Sequence, residues 1–305
     1  MSVKQIGIID IGTNTIRLVI FSADKNGSVT EIENLKINAK LGNYINDEGA
    51  LTEAGILLII NSLRYFSRII HQYKSLECKA IATAAVRNAS NREDILKTIN
   101  NKQPIQVEVL SEQEEAYYGY LSVIHSTNIN DGVIVDLGGG STEVSFMKDR
   151  KFQSSCSLPF GALTLKKKFI YNNKIETEEI ISIREYIKKQ LYQTAFLPEE
   201  KLPIIGIGGS FKNMASIHHH LAGSSMPIVN QYKMKLQEIK QTNKKLMSLS
   251  YKERKKLNGL SKSRRNTITP AGIIMEELAM YILSDTFIIN TKGIREGILY
   301  EILYN

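Results

Sequence analysis

One short pattern occurs twice in this chain. Ile6-Gly-Ile-Ile-Asp10-Ile-Gly12-Thr13-Asn14-Thr15-Ile-Arg17 is a hydrophobic run ending in Asp-aliphatic-Gly, followed by small hydroxyl residues and a second apolar run. Gly132-Val-Ile-Val-Asp136-Leu-Gly138-Gly139-Gly140-Ser141-Thr142-Glu143 repeats it 126 residues later, setting Asp136 on Asp10, Gly138 on Gly12 and Ser141 on Thr15. Each copy reads as strand, tight turn, strand. A repeat at this spacing predicts two similar α/β domains, residues 1–126 and 127–305, facing each other across a cleft. A length of 305 residues suits two domains. The polar stretch 127–131 is the expected junction.

Between and beyond the repeats, helical and strand patterns alternate. Apolar residues recur at helical spacing over 55–73, and 80–84 reads as a strand entering a loop at Val86-Arg87-Asn88. A strand over 107–110 runs into Ser111-Glu-Gln-Glu114, a capping box opening a helix over 112–124. A third strand, 202–207, enters the glycine loop Gly206-Ile-Gly208-Gly209-Ser210, with a helix expected over 211–221. Basic helical material fills 233–256, and Pro270 opens or interrupts an apolar helix reaching 283.

The glycine-rich strand ends carry the chemistry. Binding phosphate without a Gly-Lys-Ser/Thr loop needs converging backbone N–H groups, hence glycine and small residues after a strand. The chain has no Gly-Lys dipeptide, but Gly138–Thr142 and Gly12–Thr15 meet that need, with hydroxyls as further donors. Asp10 and Asp136 end hydrophobic strands, where a carboxylate must be paired, hydrogen-bonded or metal-bound. Beside phosphate loops, Mg²⁺ held by carboxylates and water is the expected device. The cap commits Glu114 to the amide of Ser111; Glu115, turned by about 100° around the helix, is left as a candidate general base. Arg17, Arg87 and Arg265 stand in or beside the loops, and the arginine fork matches phosphate oxygens. His218, His219 and His220 are adjacent on a helix and point apart, so they read as surface rather than as a metal site.

Charge narrows the partner. The chain carries 39 Lys and Arg against 31 Asp and Glu, a net +8. Residues 233–265 hold twelve of the bases against only Glu238 and Glu253, a local +10 that leaves −2 for the remainder. Such a field attracts a polyanion. No apolar run approaches the ~18 residues needed to span a bilayer, and Asp10 and Arg17 interrupt the N-terminal apolar stretch. Cys78 and Cys156, the only cysteines, make neither a disulfide framework nor a zinc site. A cytoplasmic protein is expected, with no membrane and no sequence-specific nucleic acid among its partners.

Asp10-Ile-Gly-Thr-Asn-Thr-Ile-Arg17, Ala82-Thr-Ala-Ala-Val-Arg-Asn88, Ser111-Glu-Gln-Glu-Glu-Ala116, Asp136-Leu-Gly-Gly-Gly-Ser-Thr-Glu143, Ser157-Leu-Pro-Phe-Gly-Ala162, Gly206-Ile-Gly-Gly-Ser210 and Arg295-Glu-Gly-Ile-Leu-Tyr-Glu301 follow one another along essentially the whole chain. In this order they resemble the exopolyphosphatase / guanosine pentaphosphate phosphohydrolase family, in its short two-domain form. The resemblance implies an actin-like, sugar-kinase-like (ribonuclease H-like) pair of domains, with a last helix at about 293–305 packed back on the first. It implies that Glu115 is the catalytic glutamate, that Asp136 and Glu143 are the acids of the second loop, with Asp136 on Mg²⁺, and that Arg87 is the arginine of an Ala-x-Arg-x-Ala segment. Thr13 and Thr15 stand where serines are usual and Ser210 where a threonine is; Arg265-Asn-Thr267 lacks the acid of the usual Arg-x-Asp.

The expectation is therefore a Mg²⁺-dependent (Mn²⁺ as a substitute) hydrolase releasing terminal phosphate from inorganic polyphosphate or guanosine pentaphosphate. The metal would sit on Asp136 with Asp10 or Glu143. Gly12, Thr13, Asn14, Thr15, Arg17, Arg87, Gly138, Gly139, Gly140, Ser141, Thr142, Gly208, Gly209, Ser210 and Arg265 would hold phosphate. The substrate is a polyanion, and a homodimer is compatible with the sequence. An ATP-dependent kinase of the same fold and an actin-type assembly module are the rival readings.

Overall fold

The computed structural model describes residues 4–24, 28–73, 76–194 and 201–304. The chain divides into two compact units, one of residues 1–111 with 298–305, the other of residues 112–297.

The first unit is built on a five-stranded sheet in the order β3-β2-β1-β4-β5. β1 (Lys4–Ile11), β2 (Ile16–Ala23) and β3 (Val29–Ile37) form an antiparallel meander. β4 (Leu76–Ala82) and β5 (Val107–Val109) add parallel strands beyond β1. α1 (Glu53–Ile70) lays Ile59, Ile60, Leu63 and Phe66 into the core below this sheet, as its apolar spacing requires. α2 (Ala84–Arg87) replaces the loop expected there and carries Arg87 at its end; α3 (Arg92–Lys102) follows.

The second unit opens with α4 (Glu112–Ile124) and repeats the plan. β6 (Gly132–Leu137), β7 (Thr142–Lys148) and β8 (Lys151–Leu158) form the meander, followed by α5 (Ala162–Phe169) and α6 (Thr177–Tyr192). β9 (Ile204–Ile207) lies parallel to β6 and leads directly into α7 (Gly208–Leu221). β10 (Tyr232–Lys235), α8 (Leu236–Ser248), α9 (Tyr251–Arg254), α10 (Ile268–Tyr281) and β11 (Thr286–Ile289) complete the six-stranded sheet β10-β11-β9-β6-β7-β8 and its helical cover. α11 (Ile294–Tyr304) is the last element.

The division falls at Ser111/Glu112, not within 127–131. The reason is packing: α4 lies against β6, β7 and β8 and therefore belongs with the strands that follow it. Arg150 fixes the polar stretch 127–131. Asp149 and Arg150 both adopt positive φ (50° and 59°) in the two-residue β7–β8 turn, the conformation a tight hairpin demands. The Arg150 guanidinium then donates to the carbonyls of Ile124, Thr127 (3.0 Å) and Ile129 (3.2 Å), tying the end of α4 to that turn. In the helical cover, buried Glu276 and Glu277 of α10 meet Arg184 of α6, and Asn243 of α8 donates to Glu276.

Candidate active site

The two hairpin turns share a hydrogen bond as well as a sequence pattern. Gly12 N–H donates to Thr15 O at 3.0 Å, and Gly138 N–H donates to Ser141 O at 3.1 Å. Both amides are thus consumed inside their own turns. In the second unit the carbonyls of Gly138 and Gly139 accept from Ala162, Leu163 and Thr164 at the start of α5. Gly161 permits that approach, since a Cβ there would lie 2.6 Å from the Gly139 carbonyl carbon. The amides of Gly139 and Gly140 donate to no protein acceptor among the described residues. In the first turn the same is true of Thr13 and Asn14, whose carbonyls accept from Gly42 and Lys40.

The strand register makes the repeats unequal in charge. Asp10 stands directly opposite Arg17 across β1 and β2, whereas Asp136 stands directly opposite Glu143 across β6 and β7. Partners in register share a face. The first hairpin therefore couples a carboxylate to a guanidinium, and the second couples two carboxylates. Asp10 is set beside Arg17, which gives it a different charge environment from the Asp136–Glu143 pair. Glu143 is 3 % exposed and accepts a hydrogen bond from Ser157 of β8 at 3.2 Å.

This carboxylate face is the one α4 covers. Val133, Val135, Leu137 and Val144 point to the opposite, apolar core, while Ser145, two residues beyond Glu143, donates to Ala116 O at 3.4 Å. Glu115 precedes Ala116 and is 6 % exposed, whereas Glu112 and Glu114 on the same turn are exposed. Residues 112–297 thus gather Glu115, Asp136 and Glu143 on one side of a sheet.

The third glycine loop adds an arginine, though not the expected one. Gly208 has φ +82°, and a Cβ on it would lie 2.6 Å from Asp136 Oδ1; only glycine combines that backbone with that approach. Over Gly209 lies the guanidinium of Arg264, 1.8 Å (Nη2) from where a Cβ would stand. Arg265 instead donates to Lys255 O at 3.3 Å, and its own carbonyl accepts from Arg254. Nothing in an Arg-Arg doublet tells which side chain turns toward the loop. Two hydroxyls expected on phosphate are also committed elsewhere: Thr142 donates to Phe160 O (2.8 Å) and Ser210 to Leu137 O (3.2 Å), fastening the turn and the start of α7. Ser141 is buried at the turn. In the first unit, Arg87 donates to Leu110 O at 3.2 Å and, with residues 88–94, lines a groove of about 290 Å³.

The basic segment does not form one strip. Arg254 is buried, giving its N–H groups to four carbonyls, those of Leu246, Leu249, Asn173 and Arg265. Lys235 reaches Asp285 and Thr286, and Arg264 turns to the glycine loop. His218 bonds the Tyr232 hydroxyl at 3.0 Å.

Residues 19–305 match the model of the Ppx/GppA phosphatase family. The chain belongs to that family. A crystal structure of the Aquifex aeolicus Ppx/GppA member superposes with a TM-score of 0.83 at 28 % identity, covering 99 % of this chain and 98 % of that one. The fold is thus the duplicated actin-like one. Exopolyphosphatase 1 of Mycobacterium tuberculosis is 25 % identical over 97 % of this chain and 87 % of its own length. A bifunctional 3-dehydroquinate synthase/phosphatase of Fusobacterium nucleatum subsp. nucleatum is 29 % identical over 96 % of this chain, which spans 46 % of that longer protein. As a Ppx/GppA chain it has exopolyphosphatases among its homologues. No helix among the described residues is long and apolar enough to cross a membrane.

Proposed function

We propose that this chain hydrolyses inorganic polyphosphate from its end, releasing orthophosphate. The observation that carries this is the placement of Glu115, Asp136 and Glu143 on one side of the six-stranded sheet, whose β6–β7 turn has Gly139 and Gly140 amides with no protein acceptor among the described residues. Those amides bind terminal phosphate oxygens, and Arg264, held over Gly209, supplies a charged fork. Glu115 orients a water for in-line attack on phosphorus and takes its proton. Exopolyphosphatases among the relatives, and the local +10 of residues 233–265, favour a uniform polyanion over a nucleotide.

Asp136 and Glu143 fit Mg²⁺ by the chemistry of their donors, two carboxylates presented on one face. No group of three or more His, Cys, Asp or Glu is placed to hold a metal among the described residues. Mg²⁺ commonly takes only one or two carboxylates and completes its shell with water and substrate phosphate. When bound, the ion offsets charge on the phosphate oxygens.

Phosphate release should be measured side by side from long-chain polyphosphate, guanosine pentaphosphate and ATP, with and without EDTA. Polyphosphate should be hydrolysed fastest, with activity lost in EDTA and restored by Mg²⁺. Release from ATP alone would overturn the substrate, and full activity in EDTA would remove the metal.

A further inference from the structure

Six exposed lysines from two distant stretches of chain meet on the second unit. Asn173, in the loop after α5, accepts from Tyr251 N at 2.9 Å and from the buried Arg254 at 3.3 Å. That clasp sets the end of α5 and its loop, with exposed Lys167, Lys168 and Lys174, against α9 and its flank, with exposed Lys252, Lys255 and Lys256. Half of these lysines lie outside the basic segment visible in the sequence.

What holds the lysine heads is unusual for a charged surface. Lys168 Nζ stands 4.0 Å from the centroid of the Tyr186 ring, and Lys255 Nζ stands 4.9 Å from that of Tyr251. A ring orients an ammonium group without neutralising it. Among the described residues, Lys168, Lys174, Lys252, Lys255 and Lys256 form no ion pair. The neighbouring acids are tied to backbone amides. Glu253, within electrostatic reach of Lys174 and Lys256, accepts from Ser250 N and Oγ at 2.7 Å each. Glu179 accepts from the amides of Tyr171 and Glu176 at 2.9 Å. Glu176, the N-cap of α6, and Glu178 in its first turn are also exposed and border the surface.

We infer that this composite lysine surface binds the body of a long condensed-phosphate chain and so makes the protein selective for chain length. The inference rests on the polyphosphate reading of the active site. A phosphate chain is favoured over single-stranded nucleic acid because nucleic-acid grooves offer a series of open rings for stacking. Here Tyr186 and Tyr251 are covered by lysine heads, and Tyr171, 80 % exposed, is the ring left open on this surface among the described residues.

The test is equilibrium binding of long-chain polyphosphate, tripolyphosphate and single-stranded RNA across a salt series. The unaltered chain is compared with a variant carrying Lys168→Gln, Lys174→Gln, Lys255→Gln and Lys256→Gln. Affinity for the long chain should fall about tenfold or more at low salt, and the slope of log Kd against log salt should shrink by about 3, as four fewer phosphate contacts imply. Tripolyphosphate binding should hold, and arginine at the same four positions should retain long-chain binding. An unchanged slope overturns the inference, as does RNA bound as tightly as polyphosphate at equal phosphate concentration and lost equally in the variant. Phosphate release from tripolyphosphate by the unaltered chain tests the hydrolase reading separately. Its absence, with long-chain binding still lost in the variant, removes the reaction and leaves the surface standing.

Discussion

A single methyl group on Gly209 should cost this protein activity without costing it stability. The added Cβ would lie 1.8 Å from Arg264 Nη2, 2.4 Å from Cζ and 2.6 Å from Nε. Non-bonded heavy atoms settle at about 3.5–4.0 Å, so the guanidinium must move by well over an ångström, and its flexible stem allows it to. The fold need not give way, because the obstructing atoms are the far end of one side chain. Gly209 lies in the first turn of α7 without a positive φ, where alanine is favoured over glycine by roughly 0.5–1 kcal/mol. The melting temperature of Gly209→Ala should hold or rise. Losing a charged hydrogen-bonding group from phosphate removes about 1.5–3 kcal/mol, which corresponds to about 10- to 150-fold in kcat/KM. Phosphate release from polyphosphate is the assay, run on Gly209→Ala, Arg264→Ala and the double variant. Both singles act on one group, so the double should be no worse than Arg264→Ala. Arg265→Ala, on a side chain bonded to Lys255 O, should change the rate little. Additive losses, or a greater loss at Arg265 than at Arg264, would refute the reasoning.

Glu115→Gln should lower kcat by about 10²–10⁴-fold while long-chain binding survives; exposed Glu114→Ala should cost about 0.5–2 kcal/mol of stability, the range for a lost cap, with modest loss of rate. Arg150→Met strips the carbonyls of Ile124, Thr127 and Ile129 of their donor and should destabilise the second unit by about 2–4 kcal/mol, read as a lowered midpoint in denaturant. Burial pushes the Cys78 thiol up to about 12; burial, with Glu143 and Glu112 nearby, pushes Cys156 up to about 11. Both stay protonated at pH 8, so native alkylation should be slow and become fast on unfolding. Because both values are raised, their contribution to stability is intact below the ordinary thiol value of 9.0 and is lost as pH climbs toward 11–12. Rapid native labelling at pH 8 would contradict this.

The duplicated hairpin was legible because its determinants are local. A strand ending in Asp-x-Gly needs only neighbouring residues to make its turn, and both turns close with the same Gly N–H to hydroxyl-residue carbonyl bond. The helix over 112–124 was likewise set by local spacing and capping signals. Glu115 could be singled out for the same reason: helix geometry alone turns it away from Glu114.

Tertiary contacts decided the rest. Sequence could not show that α4 packs on β6–β8 and so shifts the unit boundary to Ser111/Glu112, since that depends on strands yet to come. Nor could it show that Arg264 rather than Arg265 meets Gly209, or that the hydroxyls of Thr142 and Ser210 serve the turn and the helix start. A twelve-base run along the chain looked like one surface, yet one arginine of it is buried among carbonyls, and three lysines from the end of α5 and its loop join the rest. Charge is fixed by composition, but its direction is fixed by what each side chain packs against, and those partners lie far away in sequence.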